Sequence, residues 1–224
     1  MEIVLNMPHG TRSKLCHSPV GALMIMLRDA FRIEVFVEGG TYHGDTALWA
    51  AQHFSTVHTI EADPNLHHQF KALARNPTNI QAHLGSTVNV LPHIVPSLVR
   101  PSIFWLDSHW SAGATYGEGA ECPLLTEINN AHNSCTEHPI FIDDARYFLH
   151  PPPPPHDASH WPTIGNVFDA LRDGGRRPYI LVHSDVIICV PNAMETTVRE
   201  WCGTAHASAT ERPLGLWHWI RRRR

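Results

Sequence analysis

The sequence predicts an α/β protein built on an open, doubly wound and mostly parallel β-sheet that ends in an antiparallel hairpin. Apolar, β-rich runs alternate with segments of helical periodicity over residues 19–172, and such alternation is typical of βαβ units and a parallel sheet. The segment PYILVHSDVIICVP follows, in which two β-rich runs flank a turn at Ser184 and Asp185. This pattern predicts a hairpin. The 224 residues and the hydrophobic content of 43% suit one globular domain.

Each element follows from its local pattern. Short apolar runs predict the strands at residues 33–37, 57–60, 80–84, 102–106, 139–142, 179–183 and 186–190. Apolar residues at helical spacing predict the helices at residues 19–31, 45–53, 64–75, 91–98, 123–132 and 163–172. The third of these helices also has a start signal, because Asp63 can cap it and Pro64 fits its first position.

Composition and charge limit the class of protein. The chain is expected to form a single domain over 1–224, with a core of about 18–192 and an extension at 193–224 that ends in four arginines. The net charge of −4 argues against a nucleic-acid coat protein. The apolar run at 20–27 is too short to span a bilayer, and five scattered cysteines form no CxxC pair. We therefore expect a cytoplasmic protein without nucleic-acid or membrane partners.

The segment 35–63 carries the clearest functional signal. An apolar strand ends in Glu38, a turn with Gly39, Gly40 and Gly44 opens a helix, and a second apolar strand ends in Glu61. Glycines allow the backbone to approach a ligand, the helix N-terminus offers free N–H groups, and the second acid can hold ribose hydroxyls. The segment predicts a site for a nucleoside-bearing cofactor.

The predicted strands share a further feature, since the residue or residues after each of the five parallel strands are polar or acidic. These residues are Glu38, Glu61, Ser86, Asp107 and the pair Asp143 and Asp144. Ligands of open parallel sheets bind at the carboxyl ends of the strands. The sequence therefore marks one edge of the sheet as the binding edge.

Asp107, Asp143 and Asp144 follow two strands that are expected to be neighbours. Like charges that lie close together need a cation or a proton to compensate them, and oxygen ligands of this kind suit magnesium or calcium. In the alternative interpretation, one aspartate caps the following loop and another pairs with Arg146. His109, two residues beyond Asp107, is a candidate general base or a further ligand.

At this point the chain resembles the class I S-adenosylmethionine-dependent methyltransferases over roughly residues 20–191. VEGGTYHGDT is similar to their glycine-rich motif, with Tyr42 in place of its middle glycine, and TIEAD is similar to their second motif. The terminal hairpin matches their reversed seventh strand. The resemblance implies a Rossmann-like, seven-stranded sheet and S-adenosylmethionine (AdoMet) as the cofactor. It assigns cofactor binding to Glu38, Gly39, Gly40, Thr41, Tyr42, Gly44, Asp45, Thr46, Glu61, Ala62, Ser86 and Asp107.

Within that superfamily, FWLDSHW and FIDDARYF resemble the macrocin-type small-molecule O-methyltransferases. This resemblance implies a divalent cation such as Mg²⁺ on Asp107, Asp143 and Asp144. Independently of the resemblance, Asp107 and His109 are the residues expected to have catalytic roles. The expected acceptor is a hydroxyl of a small molecule, and a homo-oligomer is a further expectation. The loop TYGEGAECPLLTEI does not match that group, so the identity of the acceptor does not transfer.

Two other functions stay open from the sequence. A nicotinamide-dependent oxidoreductase can use a similar sheet, although Gly40 is followed by Thr41, Tyr42 and His43 rather than by GxGxxG. A binding protein that kept the fold without turnover is the other.

Two loops are candidates for the acceptor pocket. The loop 150–162, with five consecutive prolines, is expected to be a mobile cover over the acceptor. Trp110, Tyr116 and Trp161 are candidates for the wall of the acceptor pocket.

Overall fold

Seven strands form one sheet in the computed structural model, which describes residues 13–73, 77–110 and 120–210. The strands are β1 (Val35–Gly39), β2 (Thr56–Glu61), β3 (Ile80–Leu84), β4 (Ile103–Leu106), β5 (Ile140–Ile142), β6 (Tyr179–His183) and β7 (Val186–Val190). Their order across the sheet is β3-β2-β1-β4-β5-β7-β6. β1 to β5 run parallel, and β7 is antiparallel to both β5 and β6. The predicted fold class is confirmed.

The hairpin of β6 and β7 has the predicted bounds. Ser184 and Asp185, which join the strands, have φ values of 51° and 64°. Two successive left-handed residues are the signature of a two-residue turn whose twist matches that of the flanking strands. This turn places β7 between β5 and β6 and so closes the sheet with an antiparallel pair.

Helices cover both faces of the sheet. Those that the structure describes are α1 (Pro19–Phe31), α2 (Asp45–Ala50), α3 (Pro64–Leu73), α4 (Thr87–Ile94), α5 (Leu124–His132), α6 (Arg146–Leu149), α7 (Ile164–Arg172) and α8 (Glu195–Thr210). The Asp63 carboxylate accepts hydrogen bonds from the backbone of Asn65 and Leu66, so the predicted cap of α3 is confirmed. Within the described parts of the chain, no helix is both long and apolar enough to cross a bilayer.

Several predicted bounds need correction. β1 begins at Val35 and includes Glu38 and Gly39, because these residues continue the ladder to β2 and β4. α2 ends at Ala50, and α4 already begins at Thr87. Residues 74–75, predicted as the end of a helix, lie outside the described residues, as does the arginine tail at 221–224.

The sequence reading missed α6 and α8. α8 was placed in an extension, since its composition of small and polar residues gives little apolar signal. In the structure α8 packs against α1 and buries Val198 and Trp201 in the core. The extension therefore contributes to one layer of the fold.

The core has two parts, one on each face of the sheet, and alternate residues of a strand belong to different parts. Phe36 and Trp105 point into the part shared with α1 and α8, whereas Val37 and Phe104 point into the part shared with α4 and α5. A parallel sheet buried on both faces leaves its strand ends as the place for a site. Here the strand order reverses between β1 and β4, so a crevice is expected at their carboxyl ends.

Candidate functional site

The turn after β1 packs so closely against its neighbours that only glycine fits at two of its positions. Gly40 has φ of 89°, and a Cβ there would collide with the carbonyl oxygen of Asp107. Gly44 has φ of 81°, and a Cβ there would collide with the ring of Phe70 on α3. The glycine turn is therefore packed against the end of β4 on one side and against α3 on the other.

The same turn is tied to β2. The backbone N–H groups of Gly40 and Thr41 both donate to the carbonyl of Ile60, at 3.0 and 3.1 Å. Tyr42, which replaces the expected glycine, has φ of 48°, and its side chain is 53% exposed. Tyr42 thus keeps the left-handed turn while its ring lies at the surface, on the ring of His43.

Glu61 ends β2 with its carboxylate fixed by the backbone. One carboxylate oxygen accepts from the N–H of Tyr42 and the other from the N–H of Asp63, both at 2.8 Å. A carboxylate oxygen accepts more than one hydrogen bond. Glu61 is therefore oriented beside the glycine turn, with acceptor capacity left for a pair of hydroxyls.

Glu38 lies at the bottom of the site and is buried. Its Oε2 accepts from the hydroxyl of Thr59 at 2.5 Å, and Thr59 in turn contacts the hydroxyl of Thr41 at 2.5 Å. Burial, together with the nearby carboxylates of Asp107 and Glu61, raises the pKa of Glu38 to about 8, although the hydrogen bond from Thr59 opposes the shift. Near neutral pH, Glu38 is therefore ready to release a proton when a positive charge approaches.

The other predicted cofactor residues surround this turn. Asp45 and Thr46 begin α2, and the Thr46 hydroxyl lies 3.4 Å from that of Ser13. Ala62 follows β2 and is partly buried. Ser86 precedes α4, and its side chain makes no capping hydrogen bond with that helix. All of them lie at the carboxyl edge of the sheet, and their roles stay predictions.

A second cluster brings together Asp107, His109 and Asp144. The Nε2 of His109 lies 3.4 Å from an oxygen of Asp107 and 3.1 Å from an oxygen of Asp144. One ligand atom from each residue lies within 4.8 Å of the other two. Two carboxylate oxygens and one imidazole nitrogen are a donor set that fits a divalent cation such as Mg²⁺ or Mn²⁺.

Burial and neighbouring charges shift the pKa values of these three groups in different directions. Burial raises the pKa of Asp107 to about 6, although His109 and Lys14 oppose the shift. For Asp144 burial is outweighed by the hydrogen bond and charge of His109, which lower the pKa to about 2. Burial lowers the pKa of His109, but Asp144 and Asp107 outweigh it and the net shift is upward.

Asp143, the third predicted metal ligand, is not part of that cluster. It is buried, its Oδ1 accepts the N–H of Asp144 at 2.8 Å, and its Oδ2 contacts the ammonium of Lys14. The alternative pairing with Arg146 is realised by Asp144, at 2.8 Å. The structure therefore groups His109 with Asp107 and Asp144 and directs Asp143 to a lysine.

The sequence reading also missed Glu127. This residue is buried on α5 and accepts a hydrogen bond from the hydroxyl of Ser108, and a Cβ on Gly39 would lie 3.4 Å from its Oε1. Burial raises its pKa, although Ser108 and Thr87 donate to it. The available signal was an acid on the buried stripe that α5 forms with Leu124, Ile128 and Ala131.

The predicted pocket walls pack around His109. The ring of Trp161 lies 5.1 Å from that of His109, and Trp110 and Trp161 are both buried. Their burial argues for a packed support behind the cluster. Tyr116 and the rest of the loop 111–119 lie outside the described residues.

Several solved structures with a similar fold are methyltransferases. A putative caffeoyl-CoA O-methyltransferase from Staphylococcus aureus superposes with a TM-score of 0.56 at 14% identity, over 78% of this chain and 84% of that chain. An O-methyltransferase from Bacillus cereus in complex with SAH gives 0.54 at 14% identity, over 77% and 81%. A putative methyltransferase from Streptococcus mutans in complex with SAH gives 0.53 at 11% identity, over 77% and 97%.

At these identities the likeness shows the fold. The predicted resemblance to the class I methyltransferases is confirmed at that level, as a resemblance of fold. No protein-family model matches the sequence, and no curated protein matches it.

Proposed function

We propose that this protein transfers the methyl group of AdoMet to a hydroxyl of a small molecule, with a divalent cation assisting at the acceptor. The observation that carries the proposal is a set of three carboxyl groups around the ends of β1 and β4: Glu38 and Glu127, which are buried, and Asp107, which is partly exposed. Burial raises the pKa of all three, and Asp107 adds repulsion to the other two. A positively charged ligand relieves this repulsion, so the edge favours a cation.

This charge distribution separates the two cofactor classes. AdoMet brings a sulfonium and an ammonium group, whereas a nicotinamide dinucleotide brings the negative charges of a pyrophosphate. Dinucleotide-binding sheets place that pyrophosphate at the N-terminus of the first helix after the glycine turn. Here α2 carries Asp45 in its first turn, where it would repel a phosphate. The acidic edge therefore supports AdoMet over the oxidoreductase alternative.

The turn and Glu61 account for the rest of the cofactor. The glycine turn packs through Gly40 against the end of β4 and through Gly44 against α3, which fixes its backbone at the strand ends. Glu61, whose carboxylate is oriented by the N–H groups of Tyr42 and Asp63, would accept hydrogen bonds from two ribose hydroxyls. Ser86, at the end of the neighbouring β3, is the candidate contact for the adenine.

Asp107, His109 and Asp144 would hold the cation. When bound, a divalent cation lowers the pKa of a coordinated hydroxyl and orients it. His109 touches both carboxylates, which suits a ligand. In the second role that its position allows, the imidazole accepts the proton of the acceptor.

In the reaction, the acceptor oxygen attacks the methyl carbon of the sulfonium. The carbon–sulfur bond breaks, its electron pair stays on the sulfur of SAH, and the hydroxyl proton passes to a base. Because the leaving group is already activated, the protein has to align the acceptor and the methyl group and remove one proton. The two clusters, one at β1 and β2 and one at β4 and β5, divide these tasks.

The experiment is calorimetry with AdoMet, SAH and NADH, followed by turnover on a panel of hydroxyl-bearing small molecules. We expect binding of AdoMet and SAH, no binding of NADH, and turnover that is lost in excess EDTA and restored by Mg²⁺ or Mn²⁺. Binding of NADH without SAH would overturn the proposal. Full turnover in excess EDTA would exclude a cation from the mechanism. SAH binding without turnover on any acceptor would favour the non-catalytic alternative.

A further inference from the structure

Glu121 is a buried acid that stands outside the proposed cofactor and metal residues. Its side chain is only 2% exposed. Three groups from the end of the proline-rich loop donate to its carboxylate: the Nδ1 of His156 at 2.9 Å, the backbone N–H of Asp157 at 2.8 Å and the Nε1 of Trp161 at 2.7 Å. A buried carboxylate is costly unless it is hydrogen-bonded, and this one has donors on both oxygens.

The backbone of Glu121 makes a further link. Its carbonyl accepts the N–H of Trp110 at 2.7 Å. Residues 110 and 121 border the loop after β4, so this bond closes the base of that loop. One residue therefore connects the segment that carries His109 with the segment 156–161.

The groups held by Glu121 are the ones that pack on His109. The ring centroid of Trp161 lies 5.1 Å from that of His109, and the ring of His156 contacts both Trp161 and Trp110, at 5.4 and 5.5 Å. His109 is itself buried, with its Nε2 between Asp107 and Asp144. A shift of these rings would leave the imidazole free to turn away from the two carboxylates.

We propose that Glu121 is a positioning residue that holds the imidazole of His109 between Asp107 and Asp144 through Trp161 and His156. The inference rests on the proposed function, because it concerns the same acceptor and cation site. Groups that orient a metal ligand without touching the metal commonly change metal affinity about 10–100-fold when removed. The segment 156–161 belongs to the loop 150–162, which the sequence predicts to be a mobile cover; in this view the segment is instead a fixed support for the site.

The test compares the Mn²⁺ affinity of three variants, measured by electron paramagnetic resonance. Glu121→Ala removes all three acceptor contacts, and Glu121→Gln keeps the shape and one acceptor oxygen. Trp161→Phe keeps a ring but deletes the indole donor. The matched control is Trp201→Phe, the same change in a buried tryptophan on α8 that contacts His183.

We expect Mn²⁺ binding to weaken about tenfold or more in Glu121→Ala, with smaller losses in Glu121→Gln and Trp161→Phe and none in Trp201→Phe. SAH affinity, measured by calorimetry, should change less than about twofold in all four, since Glu121 does not adjoin the glycine turn. Turnover should fall through kcat rather than through KM for AdoMet.

Unchanged Mn²⁺ affinity in Glu121→Ala and Trp161→Phe would overturn the inference, and so would a parent protein that binds no Mn²⁺. A parallel loss of SAH affinity and thermal stability would also overturn it, because Glu121 would then act on the fold as a whole. If Glu121→Ala does not fold, Glu121→Gln and Trp161→Phe decide the matter. Failure of the proposed function itself is separate, since it appears as a parent protein that does not bind SAH.

Discussion

The ammonium group of Lys14 contacts the carboxylate of Asp143, at the edge of the sheet where β5 ends. The same ammonium lies 3.9 Å from an oxygen of Asp107 and 5.5 Å from the ring centroid of Trp105. With Lys14 the protein therefore supplies a positive charge to the acidic edge, in addition to Arg146 beside Asp144. That charge neutralises Asp143 and stands next to the donor cluster of Asp107, His109 and Asp144.

From this contact we predict that removing Lys14 tightens the binding of a divalent cation. Lys14→Met keeps the length of the side chain and deletes its charge, so repulsion of the cation is lost and Asp143 is freed. For a half-exposed charge at this range the gain is about 1 kcal/mol, or roughly fivefold in Mn²⁺ affinity. Lys14→Arg should leave the affinity near that of the parent, and Arg199→Met, on α8, controls for net charge. Weaker Mn²⁺ binding in Lys14→Met would show that the ammonium supports the site instead.

The second prediction concerns the ribose contact. Glu61→Ala should weaken AdoMet and SAH binding at least about tenfold, because it removes a charged acceptor worth about 1.5–3 kcal/mol. The matched control is Asp63→Asn, a neighbouring acid whose side chain caps α3. Calorimetry on both variants should show a loss in the first alone. Equal affinities of Glu61→Ala and the parent protein would exclude Glu61 from the site.

The third prediction concerns acid stability. His138 is buried, and its Nδ1 accepts the backbone N–H of Ser102 at 3.1 Å, so this nitrogen cannot be protonated in the native state. Burial and the nearby His132 lower the pKa of His138 from 6.5 to about 4. The unfolded chain therefore binds the proton first, and stability is complete above pH 6.5 and falls as the pH drops toward 4.

For His138 alone, this shift corresponds to at most roughly 3 kcal/mol at pH 4. His138→Asn retains an acceptor for the Ser102 N–H but does not titrate, so its melting temperature should decrease less between pH 7 and 4.5. The control is the same change at the exposed His93. If both variants lose as much stability in acid as the parent, the acid sensitivity comes from other groups, among them His58 and His132, whose pKa values burial also lowers to about 4.

Local signals carried most of the fold. The bounds of β6 and β7 and the cap of α3 were correct because short apolar runs, turn residues and caps act within a few positions. α8 was missed because its position depends on packing against α1. Its own small and polar residues do not predict that packing. The strand-end acids Glu38, Glu61 and Asp107 were placed at one edge because parallel strands end on the same side.

The contacts that other acidic residues make in the folded protein could not be predicted in the same way. Lys14 reaches Asp143, and Glu121 reaches Trp161, across long separations in sequence, and no local pattern records such contacts. The backbone of Asp144 is left-handed, with φ of 54°, and no local pattern in the sequence indicates this conformation. The expected location, oligomeric state and acceptor stay predictions.

The last prediction follows from the raised pKa of Glu38. The free protein holds a proton on Glu38 below about pH 8. A sulfonium or ammonium group nearby favours the ionised carboxylate, so binding of AdoMet at pH 7 should release up to one proton from this residue. Calorimetry in buffers of different ionisation enthalpy measures the number of protons released.

The control is Glu38→Gln, which keeps an acceptor for Thr59 but has no proton to release. The number of protons that this variant releases on binding AdoMet should be lower than that of the parent by up to one. The titration of the ligand's own amino group is the same in both proteins and cancels in the difference. Equal counts for the parent and Glu38→Gln would mean that Glu38 stays protonated in the complex and does not balance the charge of the cofactor.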